Sequence, residues 1–339
     1  MILISYGTRP EWIKIKPLIE AFKLTQIPYK VLFTGQHTHI ANFGYDYKLD
    51  IHKHENRLNE VISSILRAPS NIFDGIEYVL VQGDTASTYA VGLSAYNHGI
   101  KVIHLEAGLR TYDLDNPCPE EAYRQMLSRI ASIHFCATNN NKNYLETEKV
   151  SGEIYVVGNT VLDNLRNVSS KYGDHILITM HRRENLPIMK DWFEELNNLA
   201  AHNKDLKFIL PMHPNPEIQK HRNLLTNVEI VDPLSYENMI ESIATCKFII
   251  SDSGGIQEEA SFLNKRVIVC RKFTERTESI GGHSILCKSP GDLKERFEQV
   301  KTNFQIDLPS PYGDGFASHK ICNILKNHGH GEYMNTGKT

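Results

Sequence analysis

The chain has 339 residues, 41% hydrophobic and 23% charged, with 21 Gly and 14 Pro. That is about twice the commonest single-domain length, so two domains are expected, and the composition excludes disordered, collagen-like and coiled-coil chains. A formal net charge of −3 argues against a general nucleic-acid or anionic-membrane surface.

The N-terminal segment MILISYGTRPEW, whose residues 1–5 form the first predicted strand, has no basic n-region and only a short apolar stretch before Gly7, and nowhere is there an apolar run of roughly 18 residues. Neither a secretory leader nor a membrane span is expected, and a cytoplasmic location follows. The strand runs into Gly7-Thr8-Arg9-Pro10-Glu11 and Ile13-Lys14. Thr8 and Glu11 have capping-box spacing and Pro10 suits a first turn, so a helix over 10–22 is predicted. Arg9 and Lys14 leave a helix start whose N–H groups and dipole favour an anion, which suits a phosphate-bearing ligand; the plain alternative is a helix start with two solvated cations.

Further strands are predicted at 29–34, 78–82, 101–105, 134–137 and 154–157, with helix-length segments such as 87–97 between them. This alternation is the βαβ pattern, which implies a mainly parallel sheet covered on both faces. In such sheets ligands lie beyond the carboxyl ends of the strands. Asp84 of Gln82-Gly83-Asp84-Thr85 and Glu106 of His104-Leu105-Glu106-Ala107-Gly108-Leu109-Arg110 stand at adjacent strand ends, and Pro119-Glu120-Glu121 opens the next helix. Carboxylates converging in a low-dielectric cleft raise one another's pKa, as acid/base catalysis near neutrality requires; singly, each also fits a helix cap or solvated first turn.

A second strand series is predicted at 176–180, 207–211, 228–231, 247–251, 266–270 and 284–287, with the boundary in the polar segment 168–174. The first of these strands runs into His181-Arg182-Arg183-Glu184-Asn185, whose two guanidiniums suit a pyrophosphate clamp. The next runs into His213-Pro214-Asn215-Pro216, which reads as turn chemistry with one polar His. The fourth gives Asp252-Ser253-Gly254-Gly255-Ile256-Gln257-Glu258-Glu259, where two glycines let backbone N–H groups approach a phosphate and Glu259 can accept from ribose hydroxyls.

Three other signals lead elsewhere. Thr336-Gly337-Lys338-Thr339 imitates the end of a P-loop, but Glu332 stands where a glycine is needed and no helix can follow. The pairs His37/His39, His52/His54 and His328/His330 lack zinc spacing, and no GxGxxG occurs, so neither a metal nor a dinucleotide cofactor is expected. The six cysteines form no CxxC pair and read as reduced thiols, four of them in or beside apolar stretches.

Taken together, GTRPEWIKIKP, TGQH, QGDT, HLEAGLR, PEEAYR, GNTVLDNL, HRREN, SDSGGIQEEA, TER and PYGDG resemble, in order and approximate spacing, the non-hydrolysing UDP-N-acetylglucosamine 2-epimerases, over residues 1 to about 325. The resemblance implies an α/β, glycosyltransferase-B-like fold: two Rossmann-like domains with parallel sheets facing a central cleft. On that reading residues 1–168 carry the carboxylates, 169–315 bind UDP, 316–327 form a helix crossing back to the first domain, and 328–339 are a tail. It further implies reversible C2 epimerisation of UDP-GlcNAc to UDP-ManNAc, by elimination of UDP to 2-acetamidoglucal and re-addition. Asp84, Glu106 and Glu120 would move the protons, and His181 would stabilise the departing diphosphate. Arg9, Lys14, His181, Arg182, Ser253, Gly254, Gly255 and Glu259 would hold UDP, with His213 and Arg276 of TER as further binders of the substrate. Many members also carry a second, activating UDP-GlcNAc site, with which Gln36, Arg182 and His213 are compatible. The segment there reads Gln36-His37-Thr38-His39, without the family's usual second Gln.

Other departures are Leu186-Pro187 after HRREN, where the family usually has a nearby Gly, and Thr277 where the usual TERPE has Pro. The expected partners are a UDP-sugar and a second copy in a homodimer, without cofactor, nucleic acid or membrane. The alternatives are a 2-epimerase of a modified UDP-2-acetamido sugar, a hydrolysing enzyme releasing ManNAc and UDP, a UDP-sugar glycosyltransferase and a nucleotide-sugar sensor.

Overall fold

A computed structural model describes residues 1–37, 43–51 and 56–334. His39, His52 and His54 and the P-loop-like terminus 336–339 lie outside the described residues. The chain divides into two compact units, Met1–Asn164 with Gly313–Thr339, and Leu165–Tyr312.

In the first unit β1 (Ile2–Tyr6), α1 (Arg9–Thr25), β2 (Tyr29–Phe33), β3 (Tyr47–Lys48), α2 (Arg57–Leu66), β4 (Tyr78–Gln82) and α3 (Ala86–Asn97) come first. β5 (Lys101–Ala107), α4 (Glu120–Ile130), β6 (Ile133–Cys136), α5 (Asn139–Thr147) and β7 (Glu153–Val156) follow. The strands form one sheet in the order β3-β2-β1-β4-β5-β6-β7, every pairing parallel. Period-two alternation divides the apolar side chains between two cores. Ile2, Ile4, Leu80, Ile103 and Phe135 pack with Leu18 and Phe22 of α1 on one face. Leu3, Val79, Val81 and Val102 pack with Val61, Ala90 and Leu127 of α2, α3 and α4 on the other. β1 lies between β2 and β4, so the strand order reverses there. That switch point opens a crevice between the β1 and β4 exits, where GTRPE and QGDT stand.

The second unit repeats the scheme with β8 (His175–Thr179), α6 (Met189–His202), β9 (Lys207–Pro211), α7 (Pro216–Gln219), β10 (Glu229–Val231) and α8 (Tyr236–Thr245). It continues through β11 (Phe248–Ser251), α9 (Gly254–Phe262), β12 (Val267–Cys270), β13 (Ser284–Cys287) and α10 (Leu293–Thr302). Its parallel sheet has the order β10-β9-β8-β11-β12-β13, with the switch point between β8 and β11. Trp192, Phe193, Phe208, Phe248 and Phe297 fill the largest core cluster. The polar segment expected to link the domains is bound within this unit. Ser170 Oγ donates to Leu263 O at 2.7 Å, Lys171 N to Ala244 O at 2.9 Å, and the buried Lys265 Nζ to Lys171 O at 2.8 Å and Cys246 O at 2.9 Å. The division therefore falls at Asn164–Leu165, ahead of that segment.

α11 (Ala317–Met334) closes the chain within the first unit. Its Ile321, Cys322 and Leu325 join the α1 face of the core. Asp163 of the GNTVLDNL segment caps it: Ala317 N and Ser318 N donate to its carboxylate at 3.0 and 2.7 Å, an arrangement worth about 1 kcal/mol. Gly313 of PYGDG must be Gly, since a Cβ there would lie 3.0 Å from the Gly158 Cα and its φ is +125°. The helix continues seven residues past Asn327, correcting the expected tail at 328. β3 is a further element that the sequence reading lacks. Five cysteines are buried, Cys118 is exposed, and all six are free thiols.

Candidate functional site

The first unit builds its site at the β1 and β4 exits. The expected capping box of α1 is present, with Glu11 N donating to Thr8 Oγ1 at 3.5 Å and Thr8 N to Glu11 Oε2 at 2.8 Å. The buried Glu11 carboxylate also accepts from Gly7 N, Thr85 Oγ1 and Thr88 Oγ1, so it ties the start of α1 to that of α3. Arg9 is exposed in the first turn. Lys14 Nζ donates to Glu106 Oε1 and Oε2 at 2.5 and 2.6 Å.

Glu106 interrupts the β5–β6 ladder at a register shift between Leu105 and Ala107 and has φ +66°. A non-Gly residue in the left-handed region costs about 1–2 kcal/mol, and such strain concentrates at functional sites. Besides Lys14, the carboxylate accepts from Gln82 Nε2 and from Asn159 Nδ2. Asp84, at the neighbouring exit, pairs with the buried Arg124 at 3.1 Å. Burial pushes the Asp84 carboxyl above its usual range; Arg124 pulls it down, the charges of Glu106 and Glu120 push it up, and Lys14 opposes them. Glu120 is the first residue of α4 and half-buried. Glu121 is fully buried and structural, accepting from Thr111 N and Tyr112 N at 3.0 and 3.1 Å. The three expected carboxylates thus share one locality. Their partners Lys14, Gln82, Arg124 and Asn159 are the residues that motif reading left without this role.

The raised Asp84 pKa has a consequence for stability. The fold binds the Asp84 proton more tightly than the unfolded chain does, so this group costs stability as pH rises above the unfolded value of about 4. The thermal midpoint of Asp84→Asn minus that of wild type is therefore expected to grow from pH 4 to pH 7. A difference that is flat or falls over that range, measured by calorimetry, contradicts the assignment.

In the second unit HRREN leaves β8 and SDSGG leaves β11, the two strands flanking the switch point. Asp252, to which the sequence analysis assigns no role, organises both. It is fully buried and accepts from His181 N at 2.9 Å, Arg182 N at 2.8 Å and Asn185 Nδ2 at 3.1 Å. Ser253 heads α9 without a side-chain capping bond, which leaves the first turn of this helix to an anion. A Cβ on Gly254 would lie 2.5 Å from Arg276 Nη1 and 3.1 Å from Arg182 Nη2, whereas one on Gly255 would meet nothing within 4 Å. Two guanidinium groups therefore converge on the α9 N-terminus, an arrangement that suits a diphosphate. Arg276 is held there by Glu258 at 2.8 Å and by Glu275. Arg271 joins the network through Glu184 and Glu275 at 2.7 and 2.9 Å. Glu259 is buried farther along α9. His213 stacks on His181 with ring centroids 5.4 Å apart; burial and the His181 charge hold it below the usual histidine range.

Gln36 belongs to the first unit and is turned onto α3, its Oε1 accepting from Ser87 N and Oγ at 3.1 and 2.7 Å. Among the described residues no group of three or more His, Cys, Asp or Glu is arranged to hold a metal ion. No described helix is long and apolar enough to cross a membrane.

Comparison with known proteins gives a consistent result. The family model described as UDP-N-acetylglucosamine 2-epimerase matches residues 21–326. The chain is 34% identical to the UDP-N-acetylglucosamine 2-epimerase of Campylobacter jejuni, covering 96% of this chain and 97% of that one. It is 35% identical to that of Bacillus subtilis, with 96% and 95% covered. The crystal structure of the Neisseria meningitidis UDP-GlcNAc 2-epimerase bound to UDP-GlcNAc superposes with a TM-score of 0.87 at 34% identity, covering 96% and 99%. MurG of Acinetobacter baumannii, at TM-score 0.55 and 12% identity, shares the fold alone. The fold class is α/β and glycosyltransferase-B-like, with two Rossmann-like parallel-sheet units.

Proposed function

Because the chain belongs to the UDP-N-acetylglucosamine 2-epimerase family and is an isomerase of that family, we propose that its two groups of side chains divide one reaction between them. The reaction is the reversible C2 epimerisation of UDP-GlcNAc to UDP-ManNAc. The observation that carries the proposal is the grouping of Asp84, Glu106 and Glu120, with Lys14 and Arg124 among them.

The C2 proton lies beside no carbonyl, so abstraction and return alone would need a very weak carbon acid. Elimination avoids this. A carboxylate takes the C2 proton, the C2–H electron pair becomes the C1–C2 double bond of 2-acetamidoglucal, and the C1–O electron pair leaves with UDP. Re-addition returns a UDP oxygen to C1 while an acid delivers a proton to the opposite face of C2. Two faces require acid/base groups on both sides, which a trio of carboxylates can supply; each positioned group contributes about 10²- to 10⁴-fold. Departure of UDP requires stabilised diphosphate charge, and the α9 N-terminus with Ser253, Gly254, Gly255, Arg182 and Arg276 has that character. His181 and His213 assist the leaving group, Arg9 adds positive charge, and Glu259 accepts from the ribose. Lys14 acts through Glu106. Gln36 contributes to an activating UDP-GlcNAc site. The reading extends to a cytoplasmic homodimer that feeds UDP-ManNAc into polysaccharide biosynthesis, with light scattering as the check on the dimer.

Proton NMR of UDP-GlcNAc with the protein in D₂O tests the function. Deuterium should enter C2 of the substrate and UDP-ManNAc should accumulate, while free UDP and ManNAc do not. No exchange under conditions where the sugar nucleotide binds rejects the reading, and stoichiometric release of UDP and ManNAc assigns the hydrolysing reaction instead.

A further inference from the structure

His104 of HLEAGLR lies in β5 two residues before Glu106, is fully buried, and has no part in the chemistry above. Its Nε2 donates to Gly83 O at 2.8 Å, which fixes the tautomer, and Nδ1 has no hydrogen-bond partner. The carbonyl it holds belongs to the peptide joining Gly83 to Asp84. The other side of Gly83 is held as well, since its N–H donates to Leu105 O at 2.9 Å. Gly83 has φ +75°, and a Cβ there would lie 3.7 Å from Glu106 Oε2.

Glycine is the residue freest to change φ and ψ, and this one stands between Gln82, which donates to Glu106, and Asp84. Without a bond on its carbonyl, the Gly83–Asp84 peptide can rotate and carry the Asp84 carboxyl away from Arg124 and Glu106. We infer that His104 is a positioning residue for C2 proton transfer: through the Gly83 carbonyl it sets where the Asp84 carboxyl stands relative to Glu106. This rests on the epimerase reading and adds to it a residue that touches no substrate atom.

The surroundings of His104 keep it a neutral donor. Burial pulls its pKa down to about 3, and the nearby His134 acts in the same direction. His134 is its register partner on β6, also buried, and its Nε2 bonds Ser151 O at 2.9 Å. His134 therefore provides a matched control: the same side chain on the adjacent strand, bonded to a loop carbonyl outside the carboxylate group.

The test is C2 deuterium exchange at saturating UDP-GlcNAc, with KM and UDP affinity measured in parallel, for His104→Phe, His104→Gln and His134→Phe. Phe keeps the ring and removes the donor, whereas Gln places a donor nitrogen the same number of bonds from Cα. Displacing a reacting group by about 1 Å costs on the order of 10²-fold. His104→Phe is expected to lower kcat by about 10- to 100-fold, with KM and UDP affinity changed by less than about threefold. His104→Gln should recover most of that loss, and His134→Phe should exchange like wild type. If His104→Phe does not fold, His104→Asn, whose donor is one bond too short, replaces it against His104→Gln. Wild-type kcat in the donor-less variant, equal losses in the Gln and donor-less variants, or a loss confined to KM and UDP affinity overturns the inference. An inactive wild type instead overturns the epimerase reading on which it rests.

Discussion

Glu106→Gln is expected to reduce C2 exchange by about 10²- to 10⁴-fold while UDP still binds within about threefold of wild type. The substitution keeps volume and shape at a side chain only 8% exposed, so packing survives. It removes the proton-transfer group and the charge that pairs with Lys14, and brings an amide N–H₂ towards Lys14, Gln82 and Asn159, all of which donate to the native carboxylate. Because Glu106 is assigned to proton transfer and not to holding UDP, the loss belongs in kcat. Exchange within tenfold of wild type, or a loss explained wholly by weaker UDP binding, contradicts the role given to Glu106.

Arg276→Ala has the largest expected effect on stability. The guanidinium pairs with two carboxylates that are themselves buried, Glu258 at 2% and Glu275 at 4% exposure. Removing one partner from a buried ion network costs about 3–5 kcal/mol, because the carboxylates stay desolvated without that cation. Arg271 continues to compensate Glu275, from 2.9 Å, so the cost falls mainly on Glu258. For a domain of this size the thermal midpoint should drop by roughly 6–20 °C. Since the same guanidinium lies against Gly254, UDP affinity should fall as well. A midpoint within about 2 °C of wild type shows that the network is not structural; unchanged UDP affinity in the folded variant removes Arg276 from the diphosphate site.

Strand positions were legible because buried parallel strands read as short apolar runs ending at turn residues. β3 escaped because two residues carry no periodicity. The far part of α11 escaped for a different reason: in Asn327-His328-Gly329-His330-Gly331 two glycines, each costing about 1 kcal/mol in a helix, signal an end that the structure does not make there. At the site, Asp84, Glu106 and Glu120 were legible from their places at strand exits and a helix start. Their partners were not, because Lys14, Gln82 and Asn159 reach Glu106 across 92, 24 and 53 sequence positions, and only the folded sheet brings them together. Lys14 is the clearest case, since on its own helix it reads as an anion binder. Asp252 was equally hidden: an Asp before Ser-Gly-Gly looks like local turn chemistry, yet its acceptor bonds come from the β8 exit about 70 residues away.

The central claim is that UDP leaves C1 and returns. It is tested most directly with UDP-GlcNAc carrying ¹⁸O in the oxygen that bridges C1 to the β-phosphorus. Departure frees the β-phosphate to rotate, so ³¹P NMR should show the label moving from the bridging to the non-bridging β-positions in the recovered sugar nucleotide as C2 exchange proceeds. C2 exchange with the label retained in the bridge contradicts elimination and requires a route in which the C1–O bond never breaks.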